Sequence, residues 1–185
     1  MKMQQWFLYA VVSFIAFIGS NAYAAEDMAW FYIRSAHVQT AYGPGWEQAN
    51  VSVEGNANAT MCNPFGDLST SAATVRFDKF VLSVPVGGFH SESNGWYSYQ
   101  SQDEHITWWI NMNAETGLWW ATVWADNKSI VDPANGLGIT LTINGQTGHD
   151  HVRLLDQSDP NGTDGNFVYK TLPAAMPCFN VSDAI

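Results

Sequence analysis

Trp109, Asn111, Trp120, Thr122 and Trp124 are the residues of this 185-residue chain whose types and spacing point most directly to chemistry. They lie in two runs, 105–113 and 118–125, joined by Ala114-Glu115-Thr116-Gly117, a connection of ordinary hairpin length. If Asn113 pairs with Leu118, counting back sets the register. Met112 then opposes Trp119, Ile110 opposes Ala121 and Trp108 opposes Val123, an apolar face suited to a core. On the other face Asn111 opposes Trp120, Trp109 opposes Thr122 and Thr107 opposes Trp124, so indoles alternate with amides and hydroxyls. An indole is a large, rigid plane, and Asn, Thr and Asp donate and accept around its edge. A pyranose needs both, because its C–H face lies on an aromatic ring while its hydroxyls take hydrogen bonds. Trp109, Trp120 and Trp124 are therefore the expected stacking platform of a lectin-like, carbohydrate-binding surface, with Asn111, Thr122 and Asp126 as polar partners.

The same face supports a reading from a different class. Tryptophan and tyrosine concentrate at membrane–water interfaces, and aromatic cages hold choline headgroups. Gly95-Trp96-Tyr97-Ser98-Tyr99 could extend the aromatic patch of a lipid-docking, pore-forming or cytolytic toxin. Hydrolase signatures are missing: there is no G-x-S-x-G and no HExxH, and no spacing singles out a pair among Glu92, Asp103, Glu104 and Glu115. The expectation is binding rather than catalysis.

Two segments could hold metal. His149 and His151 share one face of an extended strand and could reach one transition metal, with a third ligand from Asp156, His37, His90 or His105. Pro85-Val86-Gly87-Gly88-Phe89-His90-Ser91-Glu92-Ser93-Asn94 resembles the second metal motif of cupins, P-x-G-x-x-H-x-x-x-N. His149-x-His151 with Asp156 is loosely similar to the first, although the two stand in reversed order and the flanking glycines are missing or displaced. The resemblance implies a barrel-type, metal-dependent enzyme. Separately, residues 156–166 form an oxygen-rich, glycine-punctuated loop in which Asp159, Asn161 and Asp164 have roughly the alternation of a calcium site, without the closing Glu of an EF-hand. The same composition makes an Asx-turn hairpin without an ion.

The elements that must position these residues are strands. Amphipathic helical spacing is nearly absent, and short aromatic and β-branched runs are cut by Gly, Asn, Asp and Pro. Strands are expected at 29–38, 49–54, 74–84, 96–100, 105–113, 118–125, 137–144, 151–155 and 166–172. About nine strands at this spacing predict an all-β, antiparallel β-sandwich or jelly roll. Within 74–84 the apolar set slips from Val75 and Phe77 to Phe80, Leu82 and Val84, which predicts a bulge near Asp78-Lys79.

Residues 1–24 read as a secretory signal peptide: Lys2 is the positive end, 6–18 are apolar apart from Ser13, and Ala22-Tyr23-Ala24 supplies the small cleavage residues. The expected product is a single domain, 25–185, exported to the periplasm or secreted. There Cys62 and Cys178 would pair as a disulfide, worth roughly 5 kcal/mol by chain entropy for so long a loop. Sequons begin at Asn50, Asn58, Asn127, Asn161 and Asn180, and read as polar loops. Seventeen acidic against seven basic residues give a net charge of −10, which argues against nucleic acid and against a polybasic grip on anionic lipid.

Overall fold

The structure is a computed structural model and describes residues 26–28, 31–41, 49–57, 65–78, 80–125, 130–161 and 164–171. Both cysteines and the leader lie outside these described residues. In chain order the strands begin with β1 (Glu26–Asp27), β2 (Phe31–Ala41), β3 (Ala49–Ala57), β4 (Ala73–Phe77) and β5 (Phe80–Val84). They continue with β6 (His90–Ser91), β7 (Trp96–Gln102), β8 (Ile106–Asn113) and β9 (Leu118–Ala125). After a 3-10 turn at Pro133–Asn135 come β10 (Leu137–Ile143), β11 (Gln146–Val152), β12 (Leu155–Asp156) and β13 (Asp164–Lys170).

These make two sheets. The smaller runs β1-β11-β10-β4-β5 and the larger runs β12-β13-β2-β3-β9-β8-β7-β6. Pairing is antiparallel except for the short parallel contact of β1 with β11. The architecture is the all-β sandwich that the sequence pattern predicts. Val38, Val51, Val53, Ile110, Met112 and Trp119 point inward from the larger sheet. Phe77, Ile139, Leu141 and Ile143 meet them from the smaller one. Every one of these residues is at most 1% exposed, so the core is the interdigitated layer between two facing sheets.

Trp119 is the largest fully buried side chain among the described residues. Its indole occupies space that a Cβ on Gly55 would enter, the nearest ring atom lying 2.8 Å from that position. Phe31 stacks on the same indole with centroids 5.9 Å apart and planes at 19°. On β11 a Cβ on Gly148 would collide with the Phe31 ring. Each sheet thus omits one side chain to admit an aromatic ring. Asp150 of the smaller sheet adds a polar tie, its Oδ2 accepting the Ile33 N–H at 3.0 Å beside the irregularity between Ile33 and Ser35 in β2.

Three expectations need correction. Segment 74–84 is not one bulged strand but the hairpin β4–β5, in which Phe77 pairs with Phe80. Asp78 takes φ 51°, as a two-residue turn requires, and its Oδ1 accepts the Gly138 N–H at 2.9 Å. A bulge and a turn both shift the apolar phase by one residue, and only the reversal separates them. The chain after Ile143 turns at Asn144-Gly145, with φ 47° and 81°, into β11, which begins well before the expected strand at 151–155. The sequon at Asn50 lies within β3 rather than in a loop.

The β8–β9 hairpin has the expected register, with Met112 opposite Trp119, Ile110 opposite Ala121 and Trp108 opposite Val123. Asn113, 6% exposed, closes its loop. Its Oδ1 accepts the Glu115 N–H (3.1 Å), the Thr116 N–H (2.9 Å) and the Thr116 hydroxyl (3.0 Å). Its Nδ2 donates to the Asn94 carbonyl at 2.9 Å. Asn113→Ala is expected to lower unfolding stability by about 2–3 kcal/mol, read as a lower urea midpoint, because buried partners lose their bonds. Asn113→Asp, which keeps the three acceptor contacts, should cost less. An unchanged midpoint in the alanine variant would contradict this role.

Candidate functional site

Alternation along β8 and β9 sends neighbouring tryptophans to opposite sides. Trp108 (5% exposed) and Trp119 (0%) enter the core, while Trp109 and Trp120 are half-buried on the outer face of the larger sheet and Trp124 is 55% exposed. The second sheet covers only the inner face, so these three indoles border solvent. Trp109 pairs with Thr122, diagonal to both Trp120 and Trp124. Diagonal neighbours on adjacent strands stand about 7–8 Å apart, so the three rings step obliquely across the hairpin. Asn111 is opposite Trp120, and the Thr122 hydroxyl lies 3.1 Å from that of Ser52. The remaining expected partner, Asp126, lies outside the described residues.

Of the aromatic residues in segment 95–99 only Trp96 joins this face, packing against Trp120 with centroids 4.6 Å apart, while Ser98 stands opposite Asn111. Tyr97 and Tyr99 turn to the core side, Tyr99 lying 5.2 Å from Trp108. The Ser69 N–H and hydroxyl, and after them the Tyr97 hydroxyl that donates to Asp67 Oδ1 at 3.1 Å, hold the Asp67 carboxyl below its ordinary range. The extended aromatic patch expected there therefore shrinks to one indole.

The sheet adds residues that hairpin reasoning missed. β3 lies beside β9, placing Asn50 opposite Trp124, Ser52 opposite Thr122 and Glu54 opposite Trp120. β2 lies beside β3 and β13 beside β2, setting Gln39 next to Asn50 and Asn166 next to Gln39. Trp124 thus forms one wall of a cleft of about 330 Å³, lined also by Gln39, Asn50, Asp164 and Asn166. Asn50 Nδ2 donates to Gln39 Oε1 at 3.4 Å, and His37 Nε2 donates to Asn166 Oδ1 at 2.7 Å. Each of those amide oxygens keeps a second lone pair, so Gln39 and Asn166 offer both N–H₂ donors and an acceptor to this wall. Asn50 Oδ1 is buried with no hydrogen-bond partner among the described residues. The alternating polar positions 50, 52, 54 and 37, 39 carried a signal, but the strand order that assembles them is not local.

The metal candidates are not brought together. His149 and His151 are exposed on the outer face of the smaller sheet, opposite Thr140 and Gly138. His37, His90 and Asp156 belong to strands of the larger sheet, and His105 precedes β8. The two cupin-like segments consequently stand on different sheets. Among the described residues no group of three or more His, Cys, Asp or Glu is placed to hold a metal ion.

The proposed calcium loop is occupied by its own turns. Asp159 Oδ1 accepts the Asn161 N–H at 2.9 Å, while Asp164 opens β13 and faces the cleft. Asp156 Oδ1 accepts both the hydroxyl and the N–H of Ser158, which hold its carboxyl below the ordinary range. Because the folded pKa is lowered, this contribution to stability is present above the unfolded value, near pH 4, and is lost as pH falls through the folded one. The thermal-midpoint advantage of the wild type over Asp156→Asn should accordingly be full at pH 6 and close in strongly acid solution. A pH-independent difference would show that the carboxylate charge is irrelevant to the turn.

No family model, no curated protein and no solved structure matches the chain.

Proposed function

We propose that this protein binds carbohydrate on the outer face of its larger sheet. The observation that carries the reading is Trp124, 55% exposed, forming the wall of an amide-lined cleft. A cleft of about 330 Å³ falls at the small end of ligand sites, which span roughly 300–1,000 Å³ and pair apolar surface with a few placed polar groups. Trp109 and Trp120 continue the surface away from it, giving stacking planes along which successive sugar rings lie. The indoles have few rotatable bonds and stand on paired strands, so little freedom is lost on binding.

Lipid docking is the weaker reading of the same indoles. Their neighbours are Gln39, Asn50, Ser52, Glu54 and Asn111 rather than aliphatic side chains that would enter acyl chains. Amides and a carboxylate around an aromatic plane suit hydroxyl groups. The signal peptide expected at 1–24 would deliver such a binder outside the cytoplasm.

Trp120→Ala and Trp109→Ala should each weaken binding to a recognised polysaccharide by about tenfold or more, a loss of about 1.4 kcal/mol, in isothermal titration. Their thermal midpoints should stay close to wild type. Trp119→Ala, by contrast, should destabilise the fold by about 3–5 kcal/mol. Absence of binding across a broad glycan array, or dye release from zwitterionic vesicles that depends on Trp120, would sink the carbohydrate reading.

A further inference from the structure

We infer that Trp120, Trp109 and Trp124 form a strip of successive subsites for consecutive units of one extended glycan chain, running along β9 and anchored at Trp124. The inference rests on the carbohydrate reading above and adds the shape of the ligand, its direction and its anchored end.

The sheet register sets the strip. Side chains on one face of a strand recur every second residue, and the pairings of β7, β8, β9 and β3 align those outward positions into ranks that cross the strands. Three successive ranks carry one indole each. Trp120 stands between Asn111 and Glu54, Trp109 between Gln100 and Thr122, and Trp124 between Thr107 and Asn50. Every indole thus has a hydrogen-bonding side chain on either side. Glu54, the one charged member of those six, is paired with Arg34 at 2.7 Å. The motif recurs at about 7 Å per rank, so Trp120 and Trp124 lie about 14 Å apart along β9.

Repetition is the informative feature. A lipid headgroup or a lone monosaccharide would engage one rank. The same combination of ring plane and lateral polar groups in three ranks suits a ligand that itself repeats, with a C–H face and hydroxyls in each unit. Because the ranks succeed one another along a strand, the chain that meets all of them is extended; a tightly coiled one would leave the sheet after its first contact.

The two ends of the strip differ. At one, Trp124 walls the cleft of about 330 Å³, where a sugar unit is contacted from the side as well as from its stacking face. At the other, the Trp96 ring meets that of Trp120 at 4.6 Å and 52°, so it bounds the strip and adds no further coplanar surface. The concave end offers more contact per unit, which makes it the anchor.

The test is titration of the ¹⁵N-labelled protein with the dimers and hexamers of cello-, xylo-, manno- and chito-oligosaccharides. The readout is the indole N–H resonances of Trp109, Trp120 and Trp124, identified by their loss in Trp109→Phe, Trp120→Phe and Trp124→Phe. In at least one series the dimer should shift Trp124 and leave Trp120 in place, while the hexamer shifts all three. That hexamer should bind at least about thirtyfold more tightly than the dimer, beyond the gain that the extra binding registers of a longer chain supply. Trp109→Ala, which removes the middle plane, should reduce this advantage to within about fivefold, and Trp109→Phe should restore most of it. Equal affinity for dimer and hexamer, hexamer shifts confined to Trp124, a length advantage indifferent to Trp109→Ala, or a polysaccharide that shifts these signals while its own hexamer does not would overturn the strip and leave a carbohydrate site standing. If neither oligosaccharides nor polysaccharides perturb any outward indole, the carbohydrate reading fails and the strip with it.

Discussion

The pairing of β8 with β9 decides what each face of this molecule presents. Two pairs of adjacent tryptophans, 108/109 and 119/120, are split by it, one ring inward and one outward. A slip of one residue would drive Trp120, Thr122 and Trp124 into the core and expose Trp119, Ala121 and Val123. Register is held against that slip from both ends of the hairpin's reach. Asn113 binds the loop, and Trp119 fills a space left by Gly55 on its own sheet and shared with Phe31 above. An indole in a shaped cavity discriminates between registers far more sharply than general apolarity does, because the alternative leaves a void and a clash together. The outward platform is thus a by-product of inward packing: the ring that must be buried dictates that its neighbour cannot be.

This explains why the hairpin was legible in the sequence. Both strands are adjacent in the chain, the loop between them is short, and period two then assigns every residue to a face. The same reasoning fails at Asp78-Lys79, where a two-residue reversal and a bulge leave the same mark on the apolar pattern. Only the pairing of Phe77 with Phe80 tells them apart. It also underrates β11, whose Gly148, His149, Asp150 and His151 dilute any strand signal. Their reasons are tertiary: Gly148 makes room for Phe31, Asp150 bonds across to Ile33, and the histidines face solvent. Asn144-Gly145 was the readable clue to that hairpin, since both residues adopt the positive φ such turns need.

The cleft marks the limit of local reading. Its residues come from β2, β3, β9 and β13, and the contact of β13 with β2 joins segments more than a hundred residues apart. Nothing in the 164–170 run says that it will lie beside β2, and without that neighbour Gln39, Asn50 and Asn166 are three unrelated amides. Side chains on paired strands gain in return a fixed spacing that loop residues lack. The hydrogen bonds from Asn50 to Gln39 and from His37 to Asn166 then restrict the amides further, so the polar groups of the cleft are held in set orientations.

The two outer faces of the sandwich sharpen the functional argument. On the smaller sheet the outward positions include Thr74, Arg76, Thr140, Thr142, His149 and His151, with Thr142 and Thr147 hydroxyls 3.0 Å apart and Val81 of β5, 53% exposed, as an apolar exception. That is an ordinary solvated sheet, mostly polar outside and apolar inside. The larger sheet faces the same water yet sets Trp96, Trp109, Trp120 and Trp124 among its outward residues. If exposed indoles merely reflected a tryptophan-rich composition, both faces would carry them. Among the described residues the outward indoles lie on one face, interleaved there with amides and hydroxyls, an apolar surface that folding does not require and that solubility disfavours. That mixture of indole planes with amides and hydroxyls is what the proposed binding of carbohydrate would use, C–H faces lying on the rings and hydroxyls taking the polar groups.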